Sequence, residues 1–111
     1  MLKTNRERLQ KNIELFSQFG ATENHGVTRL SLSQEDLHAR NKLKEICLDL
    51  GMIVTTDDLG TMYATLPNKT SNSPIVLGSH LDSVIKGGRF DGVLGVLTAL
   101  EAVQSILDEH I

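Results

Sequence analysis

The sequence has little of several features that identify whole classes of protein. It has one cysteine, Cys47, two prolines and no tryptophan in 111 residues. A single cysteine excludes an internal disulfide and fits a reducing compartment, so we expect a cytoplasmic protein. No apolar run is long enough to span a bilayer, and the first residues lack the unbroken apolar segment of a secretory signal. We therefore expect no membrane partner.

Positive charge is also scarce. The chain has 11 Lys and Arg against 14 Asp and Glu, a net charge of −3, so it offers no basic surface for nucleic acid. The imbalance lies from residue 51 onward, where 3 basic and 7 acidic residues give a net −4. Clustered carboxylates there would attract a metal cation, and a solvated acidic surface would give the same count. Both interpretations stay open on composition alone.

What is present is the composition of one small globular domain, with 40% hydrophobic residues in a periodic pattern. Apolar residues at helical spacing predict a first helix over residues 4–19. Ser33 is the predicted N-cap of a second helix, with Asp36 at the capping-box position, and Gly51 ends it. A third predicted helix, residues 93–107, is apolar almost all round and is expected to be buried.

The remaining apolar runs predict strands. Residues 52–56 and 61–66 are rich in β-formers and flank a short acidic turn, which predicts a hairpin. Residues 67–74 are polar and bounded by proline, as in a loop. The continuous apolar run 75–77 predicts a buried strand. The fold class is therefore α/β: a small mixed sheet, the hairpin plus one further strand, flanked by three helices as part of a three-layer domain.

The chemistry-bearing segment follows that last strand. Residues 78–92 read Gly-Ser-His-Leu-Asp-Ser-Val-Ile-Lys-Gly-Gly-Arg-Phe-Asp-Gly, and open α/β sheets bind ligands beyond the carboxyl ends of their strands. The strand period of two places His80 and Asp82 on one side, where the carboxylate can hold one imidazole nitrogen and leave the other free for a metal. Asp91 falls at the expected N-cap of the third helix, as a cap, a metal ligand or both. On the residues alone, a surface pair remains the alternative to a metal site.

Two runs in this segment resemble a known signature. Gly-Ser-His-Leu-Asp-Ser and Gly-Gly-Arg-Phe-Asp-Gly-Val-Leu-Gly-Val look like the metal-binding motif of M20 metallopeptidase-like amidohydrolases. More narrowly, they resemble the hydantoinase/carbamoylase group: N-carbamoyl-L-amino-acid hydrolase, β-ureidopropionase and allantoate amidohydrolase. Residues 26–30, Gly-Val-Thr-Arg-Leu, are also similar to that group. The resemblance implies that residues 1–111 form the amino-terminal part of an M20-type catalytic domain, with the rest of that domain and a dimerisation domain outside them.

The resemblance implies a role for each candidate residue. His80 would bind one metal ion, Asp91 would bridge two, and Asp82 would orient His80. Each full-length subunit would hold two divalent ions, Zn, Mn, Co or Ni, which activate water to cleave a linear C–N bond in a small carbamoyl or ureido substrate. The resemblance also implies a homodimer, and a cis peptide bond after Asp91. The family's adjacent Glu pair and two further His ligands have no counterpart in the 111 residues, so we expect the chain alone to be inactive.

Two other functions remain open. A truncated, non-catalytic product would carry the same residues without activity. A small-ligand or nucleotide-binding module would hold an anion at a helix N-terminus. The glycines that follow His80 fit neither G-x-G-x-x-G nor the P-loop pattern, and Asp82 and Asp91 would repel phosphate, so this function is disfavoured.

Three more residues are assigned outside the site. Cys47 lies on the apolar stripe of the second helix and is predicted to be a core residue rather than a nucleophile. Arg89 would meet a substrate carboxylate or pair with local acids. Glu101 lies within the third helix, out of context for a metal ligand.

Overall fold

The computed structural model describes residues 1–67 and 73–110. The elements in chain order are α1 (Arg6–Ser17), a 3-10 turn (Glu23–His25), α2 (Gln34–Asp49), β1 (Ile53–Thr56), β2 (Met62–Thr65) and α3 (Val93–Asp108). The α/β class, the three helices and the hairpin are therefore confirmed. No helix within the described residues has the length and apolar character needed to cross a membrane.

The chain divides into two compact units, and the site lies in the first. This unit combines Met1–Ala39 with Leu77–Ile111, and so contains α1, α3 and the start of α2. The second unit is the continuous stretch Arg40–Val76, which contains the rest of α2 and the hairpin.

The core of the first unit lies where α1 packs against α3. Helix α1 begins after Asn5, whose side-chain oxygen accepts a hydrogen bond from the Arg8 amide at 3.0 Å. Phe16 is fully buried and meets Phe19 edge to face, with ring centroids 5.8 Å apart. Helix α3 buries one face here, which includes Leu97, and its other faces are less completely covered than the sequence predicts.

The ends of α2 follow the sequence signals closely. Ser33 Oγ accepts a hydrogen bond from the Asp36 amide at 3.1 Å, which confirms the N-cap. The Asp36 carboxylate reaches back to the amide of Leu32 at 3.1 Å, one residue earlier than a standard capping box. Gly51, with a φ of 82°, ends the helix with the paired backbone hydrogen bonds of a Schellman motif.

The hairpin forms the sheet of the second unit. Strands β1 and β2 pair antiparallel with Ile53 opposite Thr65. The Asp57 carboxylate holds the turn between them, because it accepts hydrogen bonds from the amides of Leu59 and Thr61 at 3.0 and 2.9 Å.

The third predicted strand does not form. The sheet has two strands and is antiparallel rather than mixed, and Ile75 is 91% exposed instead of buried. A strand is stable only when its amides and carbonyls pair with a neighbour, and within the described residues no such partner lies beside residues 75–77. Of the loop predicted over residues 67–74, residues 68–72 lie outside the described part of the chain.

Backbone pairing in the first unit anchors the segment that carries His80. The Val27 amide donates to the Gly87 carbonyl at 2.9 Å, and the Gly87 amide donates back at 2.8 Å. Nearer the site, the Ser83 amide donates to the Arg29 carbonyl at 2.7 Å. The loop after His80 is thus tied to the stretch that precedes α2.

Candidate metal site

The structure brings the three predicted site residues together. His80 Nδ1 lies 2.9 Å from the backbone oxygen of Asp82 and 3.2 Å from its carboxylate Oδ1. On the other side of the ring, His80 Nε2 lies 3.7 Å from Asp91 Oδ2. The imidazole therefore stands between two aspartates, as the His-x-Asp spacing predicts for the first of them.

These contacts fix which imidazole nitrogen is free. A backbone carbonyl can only accept a hydrogen bond, so the short contact to Asp82 requires the proton to be on Nδ1. In the neutral ring, Nε2 then carries a lone pair. Its distance from the Asp91 carboxylate is too long for a hydrogen bond. Nε2 is left available as a ligand atom.

Asp91 is not the helix cap that the sequence predicts. The N-cap of α3 is Gly92, and it makes no side-chain capping bond. Gly92 has φ 75° and ψ −62°, and the Val93 amide donates to the Asp91 carbonyl at 2.9 Å, which together form a γ-turn. The turn directs the Asp91 carboxylate to His80, with its side chain 78% exposed. No peptide bond in the described residues is cis, so the cis bond implied after Asp91 is also wrong.

Two glycines make room for His80 and the residue before it. A Cβ atom on Gly92 would overlap the Nδ1, Cε1 and Nε2 atoms of the His80 ring. A Cβ atom on Gly95 would come within 2.6 Å of Ser79 Cβ. The first turn of α3 therefore packs directly against the segment that carries the histidine.

The donor set fits a divalent metal ion. An imidazole nitrogen and a carboxylate oxygen face each other, and both are common ligands of Zn, Mn, Co and Ni. In the part of the chain that the structure describes, no cluster of three or more His, Cys, Asp or Glu side chains could hold a metal ion. The two residues supply part of a coordination shell.

The residues assigned outside the site have other partners. Glu101 is 2% exposed and pairs with Arg8, where Oε2 lies 2.7 Å from Nε. Cys47 is buried, and burial raises the pKa of its thiol, which confirms it as a core residue. Arg89 donates to Ser17 Oγ at 2.6 Å and lines an open cleft of about 460 Å³, and none of the ion pairs in the described residues involves it, so its pairing with a local acid is not supported.

Arg29 is the residue near the site that sequence reasoning missed. It is 1% exposed and donates a hydrogen bond to the Leu81 carbonyl, between His80 and Asp82. Arginine is rarely buried, and no periodicity marks the stretch that contains it. The available signal was the resemblance of residues 26–30, which carries no role for Arg29.

Comparison with known proteins finds relatives by sequence. No family model matches the chain. It is 39% identical over 107 residues to an N-carbamoyl-L-amino-acid amidohydrolase of Pseudomonas sp., covering 96% of this chain and 26% of that protein. It is 36% identical over 99 residues to the allantoate amidohydrolase of Bacillus subtilis, covering 88% of this chain and 24% of that protein.

Solved structures agree with the sequence relatives. A hydantoinase/carbamoylase family amidase from Burkholderia ambifaria matches with a TM-score of 0.94 and 38% identity, covering all of this chain and 28% of that one. The chain therefore spans about a quarter of the proteins it matches. The resemblance found in the sequence is confirmed: these 111 residues correspond in sequence and fold to part of a hydantoinase/carbamoylase-type amidohydrolase.

Proposed function

We propose that this chain contributes His80 and Asp91 to the divalent-metal site of an amidohydrolase that cleaves a linear C–N bond in a carbamoyl or ureido compound. One observation carries the proposal. The free Nε2 of His80 faces the Asp91 carboxylate at 3.7 Å, while Asp82 holds the opposite nitrogen of the ring. Orientation of a ligating histidine by a second hydrogen-bond acceptor is typical of metal centres.

The relatives support the substrate class. Their names specify amidohydrolases of N-carbamoyl-L-amino acids and of allantoate. Because the chain covers only 26% of the first of these, the activity belongs to a larger protein in this proposal. The class of bond cleaved is what the two relatives share, and we extend only that class to the protein that contains this chain.

Each site residue has a distinct task in this proposal. His80 would hold one ion through Nε2, and the Asp91 carboxylate would be shared between two ions. Asp82 keeps the proton on Nδ1 and so keeps Nε2 free. Ions such as Zn, Mn, Co or Ni, when bound, supply Lewis acidity towards a carbonyl oxygen and lower the pKa of water.

Local structure prepares the ligands without further change. Gly92 leaves the space that the imidazole occupies. The backbone bonds of Ser83 and Gly87 hold the loop after His80. The backbone that carries His80 is then already held before a metal ion binds, which favours binding.

Zinc titration of the chain and of a His80→Ala variant tests this proposal. We expect the wild-type chain to bind Zn²⁺ weakly, with NMR shifts at residues 80–92, and H80A to bind at least about tenfold more weakly because an imidazole ligand is lost. His38→Ala is the matched control, since His38 is an exposed histidine of α2. Its affinity should equal that of the wild type.

Two results would count against the proposal. Equal Zn²⁺ affinity of the wild type and H80A would remove His80 from the ligand set. Inorganic phosphate that shifts the same amides, in a chain that does not respond to Zn²⁺, would instead support an anion-binding module.

A further inference from the structure

Arg29 makes an unusual set of contacts for a buried charged residue. Its Nη1 donates to the carbonyls of Phe16 and Phe19, each at 2.7 Å, and its Nε donates to the Leu81 carbonyl at 2.8 Å. None of the ion pairs in the described residues involves it. The guanidinium is therefore held by backbone carbonyls alone.

Two of these three bonds belong to the end of α1. The Phe16 carbonyl lies in the last turn, where it also accepts the Phe19 amide at 3.2 Å, and the Phe19 carbonyl lies just after it, at the negative end of the helix dipole. A cation is favoured there, which offsets part of the cost of burial. That cost is real, because desolvation lowers the pKa of Arg29 while the Asp36 and Asp82 carboxylates oppose the shift.

The third bond has no part in ending the helix. Leu81 stands between His80 and Asp82 in the sequence, and its carbonyl belongs to the peptide unit that joins it to Asp82, so the bond from Arg29 holds that peptide unit directly after His80 and Leu81. The backbone of Arg29 also forms two hydrogen bonds with Ser83. Its amide donates to Ser83 Oγ at 2.8 Å, and its carbonyl accepts from the Ser83 amide at 2.7 Å.

We propose that Arg29 is a positioning residue for the metal site, which acts through the Leu81 carbonyl to hold the His80 imidazole with Nε2 towards Asp91. This inference rests on the proposed function. Arg29 touches neither candidate ligand; it links the end of α1 to the backbone that carries them.

The guanidinium is suited to this task in a way that other side chains are not. It is planar and directs its N–H groups at fixed angles, so one group can bind carbonyls from two parts of the chain at once. Lysine keeps the charge but has a single rotating ammonium. Methionine fills similar space and donates nothing.

The test compares Arg29→Met and Arg29→Lys with Arg8→Met in the 111-residue chain. Without metal, we expect wild-type NMR spectra to show NOEs between the His80 ring and Gly92, which R29M and R29K weaken or lose. With Zn²⁺, both variants should bind about tenfold or more weakly, the usual effect of losing a residue that orients a ligand. R8M breaks the ion pair to Glu101 instead, so it should lower stability and leave both readouts unchanged.

Each outcome decides the question. If both Arg29 variants keep the NOEs and the Zn²⁺ affinity, or if R8M loses them equally, Arg29 has only a structural role. If R29M does not fold, R29K, which keeps the charge and most of the packing, decides in its place. If the wild type itself binds no Zn²⁺, the proposed function fails, whereas the metal-free NOEs still report whether Arg29 sets the His80 ring.

Discussion

At the scale of single residues, the position of the His80 ring depends on the absence of a Cβ atom at Gly92. Its φ of 75° and ψ of −62° form a γ-turn that L-residues rarely adopt, and the His80 ring fills the space of its missing Cβ. Backbone strain and steric overlap therefore act at the same position. A side chain here would change both the turn and the imidazole.

We predict that Gly92→Ala lowers the free energy of unfolding by about 2 kcal/mol and moves the His80 ring away from Asp91. Urea denaturation measures the first effect, and His80 ring chemical shifts measure the second. Gly88→Ala is the control, because a Cβ there meets nothing within 4 Å and φ lies outside the left-handed region. Unchanged His80 shifts in G92A would show that the ring does not need this space.

Residue-scale expectations succeeded where chemistry is local and failed where it depends on the fold. The contact of His80 with Asp82 was predicted from the period of a strand that does not form, but the two residues are so near in sequence that the imidazole still reaches the Asp82 backbone oxygen. The capping role of Asp91 was wrong because the γ-turn at Gly92 turns the carboxylate to a residue 11 positions earlier. The burial of Arg29 could not be predicted from the neighbouring sequence, because its hydrogen-bond partners lie as far along the chain as Leu81.

At the scale of elements, a polar clamp joins α1 to α3. Glu101 of α3 accepts two hydrogen bonds from the Arg8 guanidinium, each 2.7 Å long, and one from the Asn5 amide at 2.6 Å. The carboxylate thus sits at the positive end of the α1 dipole. A buried carboxylate with one partner removed is costly, so the clamp is expected to be sensitive to mutation.

Glu101→Gln is predicted to lower the free energy of unfolding by about 2 kcal/mol at pH 7, because the charge-assisted bonds to Arg8 are lost. Urea denaturation measures the change. Glu45→Gln, which removes the exposed ion pair with Lys42, is the control and should change stability by less than about 0.5 kcal/mol. A loss in E45Q equal to that in E101Q would contradict the clamp.

The clamp also predicts how stability depends on pH. Burial tends to raise the pKa of Glu101, but the hydrogen bonds from Arg8, Asn5 and Ser105 outweigh it and hold that pKa below its ordinary value. Protonation is then harder in the folded chain than in the unfolded one, so this stabilisation is complete above the ordinary Glu pKa and is lost as pH falls through the lower, folded value. The difference in stability between wild type and E101Q should shrink as the pH falls below the ordinary pKa of a Glu side chain.

Helices and the hairpin were predictable because their signals lie within a few residues. Each signal involves residues that are close together in the sequence: the Ser33 cap, the apolar spacing of α1 and the acidic turn after Thr56. The absence of the strand expected over residues 75–77 was not predictable, because an apolar run has the same sequence whether or not a partner strand lies beside it. Its formation depends on backbone from elsewhere, which the described residues do not supply.

At the scale of the whole molecule, the fold matches part of a larger amidase, and the candidate site supplies only some of the ligands that two metal ions need. The fold matches part of the Burkholderia amidase with a TM-score of 0.94 while covering 28% of it. The site offers two ligands, His80 and Asp91, in the described residues. Two four-coordinate ions that share the Asp91 carboxylate and a water need about four further ligands, of which His80 is one.

We therefore predict that the chain by itself releases no ammonia from N-carbamoyl amino acids, β-ureidopropionate or allantoate in the presence of Zn²⁺, Mn²⁺, Co²⁺ or Ni²⁺. Ammonia release by a sample that circular dichroism shows to be folded is the measurement. Turnover that scales with chain concentration and disappears in H80A would contradict this prediction.

The clamp between α1 and α3 also governs when the first unit can form during synthesis. Arg8 and Glu101 are 93 residues apart, so α1 leaves the ribosome well before its partner exists. At about 5–20 residues per second the wait is about 5–19 s. The continuous stretch Arg40–Val76 is completed in that interval. During it the apolar face of α1, which includes Ile13 and Phe16, is available to chaperones before α3 can cover it.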